Sequence, residues 1–169
     1  RSGAPTDGRG VIPSMKFPRA LRFDVSDANA FPLAAESGEW AVTGTFAFAD
    51  ADLAAFTNKE QLAFKNGWLG TESFGRVTFV EAVIITEEQF DEVVRRLASH
   101  LQDHYGAPDR ESAIRAAQDE AKYTAELCDH PAGTLLAIER EIGDEGVTER
   151  IRVIPKQDDG AHAKIWSVV

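Results

Sequence analysis

The chain contains one cysteine, Cys128, and it stands two residues before a histidine in the run ELCDHPAGTLLAIERE, residues 126–141. A thiol beside an imidazole is the kernel of a nucleophile pair or half of a metal site. A reactive thiolate needs partial exposure and a nearby cation or helix N-terminus to lower its pKa. The sequence instead puts Cys128 at the end of an apolar helical stripe, where the negative end of the helix dipole and Asp129 both oppose ionisation. The competing reading is a buried thiol that fills space as a small hydrophobe. His130 would then order the turn before Pro131.

His100 and His104 are four apart in a stretch of helical periodicity, which puts both imidazoles on one face, as metal ligands require. No glutamate follows His100 directly, so the metalloprotease pattern is absent. A third ligand would have to come from His130, by its turn folding back. Otherwise the pair is the polar rim of a helix whose apolar face is Phe90, Leu97 and Leu101. Glu81 interrupts the apolar run over residues 75–86. A buried carboxylate needs a partner or its pKa rises. Glu81 is therefore either a functional acid or half of an ion pair with Arg76, Arg22 or Arg152 from neighbouring strands. Trp40 and Trp68, with Phe74, are the aromatics suited to binding, and core packing is their alternative. Trp68 lies in the Gly-flanked stretch GWLGTESFG, where a large side chain serves well as an anchor. That stretch has no lysine and no G-x-G-x-x-G spacing, so it is not a phosphate loop. Ser73 and Ser99 lack the strand–turn–helix context of a nucleophile elbow.

Positioning these side chains falls to a series of short elements. Alternation of Leu21, Phe23 and Val25 with Arg22 and Asp24 predicts a half-buried strand. A second is expected over residues 40–48, with Trp40, Val42, Phe46 and Phe48 on one face and Gly44 marking a bulge or a close backbone approach. Thr57 and Glu60 match a capping box, which predicts a helix near residues 58–66 closed by Gly67 in the left-handed conformation. A turn of helix at residues 52–56 precedes it. Residues 75–86 read as a central strand covered on both faces. Thr86 caps a helix running to Tyr105, and Asp109 caps another with an inner stripe of Ile114, Ala117, Ala121, Ala125 and Cys128. Residues 134–142 and 147–155 form a hairpin, with Gly143 and Gly146 at positive φ. Its inward rows are Leu136, Ile138, Ile142 and Val147, Ile151, Val153. The ending, AHAKIWSVV, adds a short strand or packs Trp166 against the body. The order β-β-α-β-α-α-β-β is not a βαβ alternation. It predicts an α+β fold: a mostly antiparallel five-stranded sheet with the two longer helices packed on one face.

The 169 residues, 43% of them apolar, suit one domain whose core needs no staples. One cysteine excludes an internal disulfide framework and a multi-cysteine zinc site. Residues 1–14 are rich in Gly, Pro and Ser and read as a disordered tail or a cloning remnant, ahead of a single domain over residues 15–169 with Met15 as the native start. A net charge of −10 repels nucleic-acid phosphates and anionic lipid. No apolar run is long enough for a transmembrane helix. The expectation is a cytoplasmic protein with no cofactor of its own, whose partner is another protein or a second copy of itself.

Together, PRALRFDVSD, GEWAVTGTFAF, AFKNGWLG and ELCDHPAGTLLAIERE resemble a small bacterial domain-of-unknown-function family, number 6505, over nearly all of residues 17–155. Cys128, Asp129, His130 and Pro131 match the family's Cys-Asp-His-Pro run. The resemblance implies no reaction. It does imply an accessory or maturation role beside a molybdenum-dependent formate dehydrogenase, near whose genes the family's genes lie. The leading expectation is a non-catalytic accessory or binding protein. The alternative is a small-molecule enzyme or cofactor-binding protein using Glu81 with His130 or Cys128. A transition-metal carrier using His100, His104 and His130 is the third.

Overall fold

The computed structural model describes residues 15–22 and 30–155. In chain order the elements are β1 (Lys16–Leu21), β2 (Ala41–Val42), α1 (Asn58–Asn66), β3 (Trp68–Gly70), β4 (Arg76–Val77), β5 (Phe79–Ile84), α2 (Glu87–His104), α3 (Arg110–Leu127), β6 (Leu135–Gly143) and β7 (Gly146–Ile154). The class is α+β and every strand pairing within the two sheets is antiparallel, as expected. The strands are divided, however, between a four-stranded sheet, β1-β5-β6-β7, and a three-stranded sheet, β2-β3-β4. A single bent residue, Thr78, carries the chain from the small sheet into the large one. The bridge between Arg19 and Trp40 ties the two together at β1.

Several local expectations are corrected. The segment over residues 40–48 is a strand only through Val42. Gly44 takes φ 75 and turns the chain into a short 3-10 turn, Thr45–Phe48. The close approach is real, because a Cβ at Gly44 would collide with the side chains of Leu69 and Arg76. α1 begins at the capping box of Thr57 and Glu60, preceded by a 3-10 turn, Leu53–Ala55, capped by Asp52. Gly67 ends α1 in extended geometry, φ −97, not in the left-handed region. The chain passes there straight into β3, and a Cβ would lie 2.8 Å from the Ala63 carbonyl and 3.1 Å from Arg76 Cβ.

β5 is interior to its sheet, yet only one face is fully covered. Val80 and Ala82 are buried, while Phe79, Glu81 and Val83 are half-buried and Ile84 is exposed. Helices α2 and α3 pack on each other and gather at the strand's end, around Phe17, Val42, Leu69 and Ile85. Thr86 with Gln89 closes a capping box on α2, and Asp109 accepts the Ser112 N–H to cap α3. The buried stripe of α3 is Ala113, Ala117, Ala121 and Thr124, with Ile114 and Ala125 only partly covered. The smallest side chains thus face Val93, Val94, Leu97 and Ala98 of α2, which brings the two helices close.

The hairpin departs most from its expected pattern. Only Gly146 has positive φ, at 106. Leu136 and Ile138 are buried, but Ile142, Val147 and Val153 are exposed. The next inward position after Ile138 is Arg140, 2% exposed. The reason lies in α1. A helix leaves its last carbonyls without intrahelical donors, and Arg140 Nη1 donates to the carbonyls of Phe64 (2.7 Å) and Gly67 (3.0 Å). An arginine, not an isoleucine, is what the end of α1 requires. On the other face of the hairpin, Glu139 accepts from Arg150 (2.8 Å) and Arg152 (2.9 Å) of the outermost strand, β7. The tail over residues 1–14, the alternation at Phe23 and Val25, and the ending with Trp166 lie outside the described residues. Among those described, no helix is long and apolar enough to cross a membrane.

Candidate functional site

Cys128 is fully buried at the C-cap of α3, against Ala20, Ala82, Leu136 and Ile138. Burial pushes its thiol up to about 12, with Lys16 lowering it and Asp129 raising it by smaller amounts. His130 is half-buried in the turn that follows, and its backbone N–H donates to the Cys128 carbonyl at 2.8 Å. Among the described residues no hydrogen bond joins the thiol to the imidazole. Glu81 alternates with Val80 and Ala82, so it faces away from the side of β5 on which Cys128 packs. The arginines expected to pair with Glu81 are engaged elsewhere. Arg22 reaches the Ala35 carbonyl and Glu36, Arg152 reaches Glu139, and Arg76 reaches two backbone carbonyls. The register explains this, since it sets Arg19 and Leu135 opposite Glu81 and puts Arg152 opposite Ala137.

His100 and His104 do share a helix face, with ring centroids 4.9 Å apart. His104 is exposed, and among the described residues no three His, Cys, Asp or Glu side chains are grouped to hold a metal ion. Trp68 is entirely buried on β3, and its indole N–H has no partner among the described residues. Trp40 is half-buried, edge-on to Phe17 at 6.2 Å, with the Arg19 guanidinium 5.6 Å from its ring centroid.

A different set of side chains converges on a cleft. Its construction starts at Glu39, a buried carboxylate next to β2. Glu39 accepts from the backbone N–H groups of Glu36 (2.6 Å), Glu72 (2.8 Å) and Ser73 (2.9 Å) and from the Ser73 hydroxyl (2.7 Å). Gly70 leaves room for it, because a Cβ there would strike the carboxylate. These bonds hold the loop after β3, and the loop presents Phe74 at φ 57. A left-handed backbone is costly for a bulky aromatic, by roughly 1–3 kcal/mol, and persists only where the surroundings over-determine it. The ring of Phe74 stacks flat on His100, 3.7 Å between centroids and 3° between planes. Burial and the nearby His104 and Arg76 hold the His100 imidazole below its ordinary range, with Asp103 opposing.

Gly75 follows, and its missing Cβ lets β4 press against Ala34. The Arg76 N–H donates to the Leu33 carbonyl (2.8 Å), and the Ala35 N–H donates to the Arg76 carbonyl (2.9 Å). This clamps residues 32–35 beside the loop as a second wall. Phe48, from the 3-10 turn behind Gly44, lies over the Arg76 guanidinium at 4.6 Å. Phe56 and Tyr105 complete the enclosure, so that Leu33, Phe48, Phe56, Phe74 and Tyr105 surround Arg76 in a cleft of about 320 Å³. A volume and an aromatic lining of this kind characterise small-molecule sites.

Two buried arginines underlie this region, and their environments differ. Arg140 has a carboxylate: Glu149 lies 3.2 Å from its Nε and also accepts from Thr45 Oγ1 and from the Tyr123 hydroxyl (2.6 Å). Arg76, 8% exposed, donates Nη1 to the Gly67 carbonyl and Nη2 to the Gly44 carbonyl, each at 3.0 Å. No described carboxylate stands within ion-pair distance of it. Glu120 is spent on the Thr43 hydroxyl (2.8 Å) and the Gly44 N–H (3.0 Å), and influences Arg76 only from a distance. Burial, reinforced by repulsion from Arg140, pushes the Arg76 guanidinium down to about 9.

The cleft therefore offers flat apolar walls around a desolvated cation. The one acidic side chain among its described lining residues, Glu60, is occupied in the capping box with the Thr57 N–H at 2.8 Å. Such an arrangement suits recognition. In the sequence Arg76 stands out only as an ion-pair partner for Glu81, while Phe74 stands out as an aromatic suited to binding, with nothing to join the two. The signal within the sequence was an arginine opening an apolar strand run directly after a glycine.

The chain matches the model of a family of unknown function, DUF6505, over residues 15–167. No curated protein and no solved structure matches it. With nearly the whole chain covered by that match, the protein belongs to the DUF6505 family.

Proposed function

We propose that this protein is a non-catalytic binding protein and that its working site is the aromatic cleft around Phe74 and Arg76. The observation that carries this reading is Phe74, an aromatic held in a left-handed conformation by the bonds converging on Glu39, with its ring at the wall of the cleft. Local strain of this kind is retained where it positions something. The groups that line the cleft bind and orient, while the thiol of Cys128 is sealed elsewhere in the core. An accessory role beside a molybdenum-dependent formate dehydrogenase, implied by resemblance, is a setting in which a binder of small ligands would work.

A fragment screen followed by amide chemical shifts tests the site. Hits are expected to perturb residues 72–76 and 47–56 together, and Phe74→Gly, which relieves the strain and removes the ring, is expected to abolish them. Hits that map to other surfaces, or that survive Phe74→Gly unchanged, would reject the cleft as the site. Co-purification of the tagged protein with the dehydrogenase tests the accessory role separately.

A further inference from the structure

We infer that the cleft selects a small monoanion: a carboxylate carried on a flat aromatic body, with the carboxylate on Arg76 and the ring among Phe48, Phe56 and Phe74. The inference rests on the binding reading above and adds the ligand's charge and shape. A buried guanidinium is costly unless something compensates its charge. Arg140 has Glu149 for that purpose, whereas among the described residues Arg76 has only the carbonyls of Gly67 and Gly44 at bonding distance. Those two bonds account for part of the donor set of a guanidinium, whose remaining N–H groups retain capacity for an acceptor. Arg76 is also a wall residue of the cleft, so an anion entering it meets this cation. A low-dielectric site strengthens that contact compared with water.

The same surroundings limit the charge. Among the described residues Arg76 is the only cation of the lining, Glu60 lies there too, and the whole chain carries −10. A dianion or polyphosphate would meet one cation against a strongly acidic background. A planar carboxylate matches the guanidinium fork geometrically. The edges and faces of the three phenylalanine rings favour an aromatic body over a branched aliphatic one.

Titration with 2-naphthoate, 2-naphthamide and 2-naphthyl phosphate separates the possibilities, using amide shifts of residues 72–76 on the intact chain. Naphthoate is expected to bind at least about tenfold more tightly than naphthamide, as a site built around one polar group discriminates against ligands lacking its partner. It is also expected to bind more tightly than the phosphate. Arg76→Lys, which keeps the charge and loses the fork, is expected to narrow the naphthoate preference. Arg76→Met is expected to erase it, and the comparison of probes on the unaltered protein stands even if that variant does not fold. Equal binding of naphthoate and naphthamide would overturn the anion assignment while leaving the cleft reading intact. Tighter binding of the phosphate would overturn the carboxylate. No shifts with any probe would count against the cleft itself as well as its ligand class.

Discussion

Replacing Arg140 with methionine should destabilise the protein severely, and the size of the effect follows from what the side chain holds. Methionine reproduces much of the aliphatic stem and none of the donors. It leaves the Phe64 carbonyl at the end of α1 without Nη1, the Gly67 carbonyl with Arg76 alone, the Thr43 carbonyl without Nη2, and the Glu149 carboxylate without its cation. The side chain of Arg140 has no exposed surface and that of Glu149 is 10% exposed, so water does not readily replace the lost partners. Breaking a buried ion pair by deleting one member costs about 3–5 kcal/mol. With a urea dependence of about 2 kcal/mol per molar, the unfolding midpoint of Arg140→Met should fall by about 1.5–2.5 M. Glu149→Gln should cost less, because the amide still offers an oxygen to Thr45 or Arg140. Combined with Arg140→Met it should add less than its individual cost, since the two residues share one interaction. Denaturation followed by circular dichroism measures all three. A shift under about 0.5 M for Arg140→Met at an unchanged slope, or strict additivity in the double variant, would show that Arg140 is not the cation that closes α1 and pairs Glu149.

Cys128 should resist a thiol reagent in the native protein and react promptly once unfolded, because burial both shields the sulfur and suppresses its thiolate; rapid native labelling would contradict its placement. His100 is held below its ordinary range, so from about pH 6.5 down to that depressed value the unfolded chain binds more protons than the folded one. Stability should therefore fall as the pH drops through this window, and His100→Phe, which keeps the stack on Phe74, should show a shallower acid slope in urea midpoints measured at several pH values. Glu39→Gln turns one acceptor into a donor facing donors, and should cost about 1–3 kcal/mol. The amides of Glu72 and Ser73 should then exchange with solvent deuterium faster than in the unaltered protein. Gly75→Ala would drive a methyl group into the backbone at Ala34, and should destabilise by about 1–3 kcal/mol in the same unfolding assay.

The elements legible in the sequence were those whose signals are local. The capping box at Thr57 and the caps at Thr86 and Asp109 sit at the starts of real helices. Their donors and acceptors lie within one turn of each other, so the pattern needs no knowledge of the rest of the chain. The hairpin was legible for the same reason. What escaped depends on contacts between distant segments. Gly67 looks like a left-handed stop until β3 and Arg76 are placed beside it. The parity of β6 is right, yet position 140 faces the end of a helix more than seventy residues earlier, and a donor is needed there. Two-residue strands such as β2 and β4 carry no periodicity to detect, which is why the second sheet was invisible. The cleft is assembled from stretches of chain as far apart as Leu33 and Tyr105, and its strain at Phe74 is imposed by Glu39, thirty-five positions away.

The arrangement at β7 bears on how this protein behaves in concentrated solution. Among the described strands β7 ends the larger sheet, and its nine residues leave a long outer row of peptide groups for another chain to pair with. Arg150 and Arg152 stand on this strand with 76% and 55% of their side chains exposed, anchored by Glu139. A second copy approaching edge to edge would bring like charges together as well as strands. Replacing both arginines with threonine would leave the domain's interior untouched and remove that repulsion, so that this edge becomes a seed for polymeric assembly.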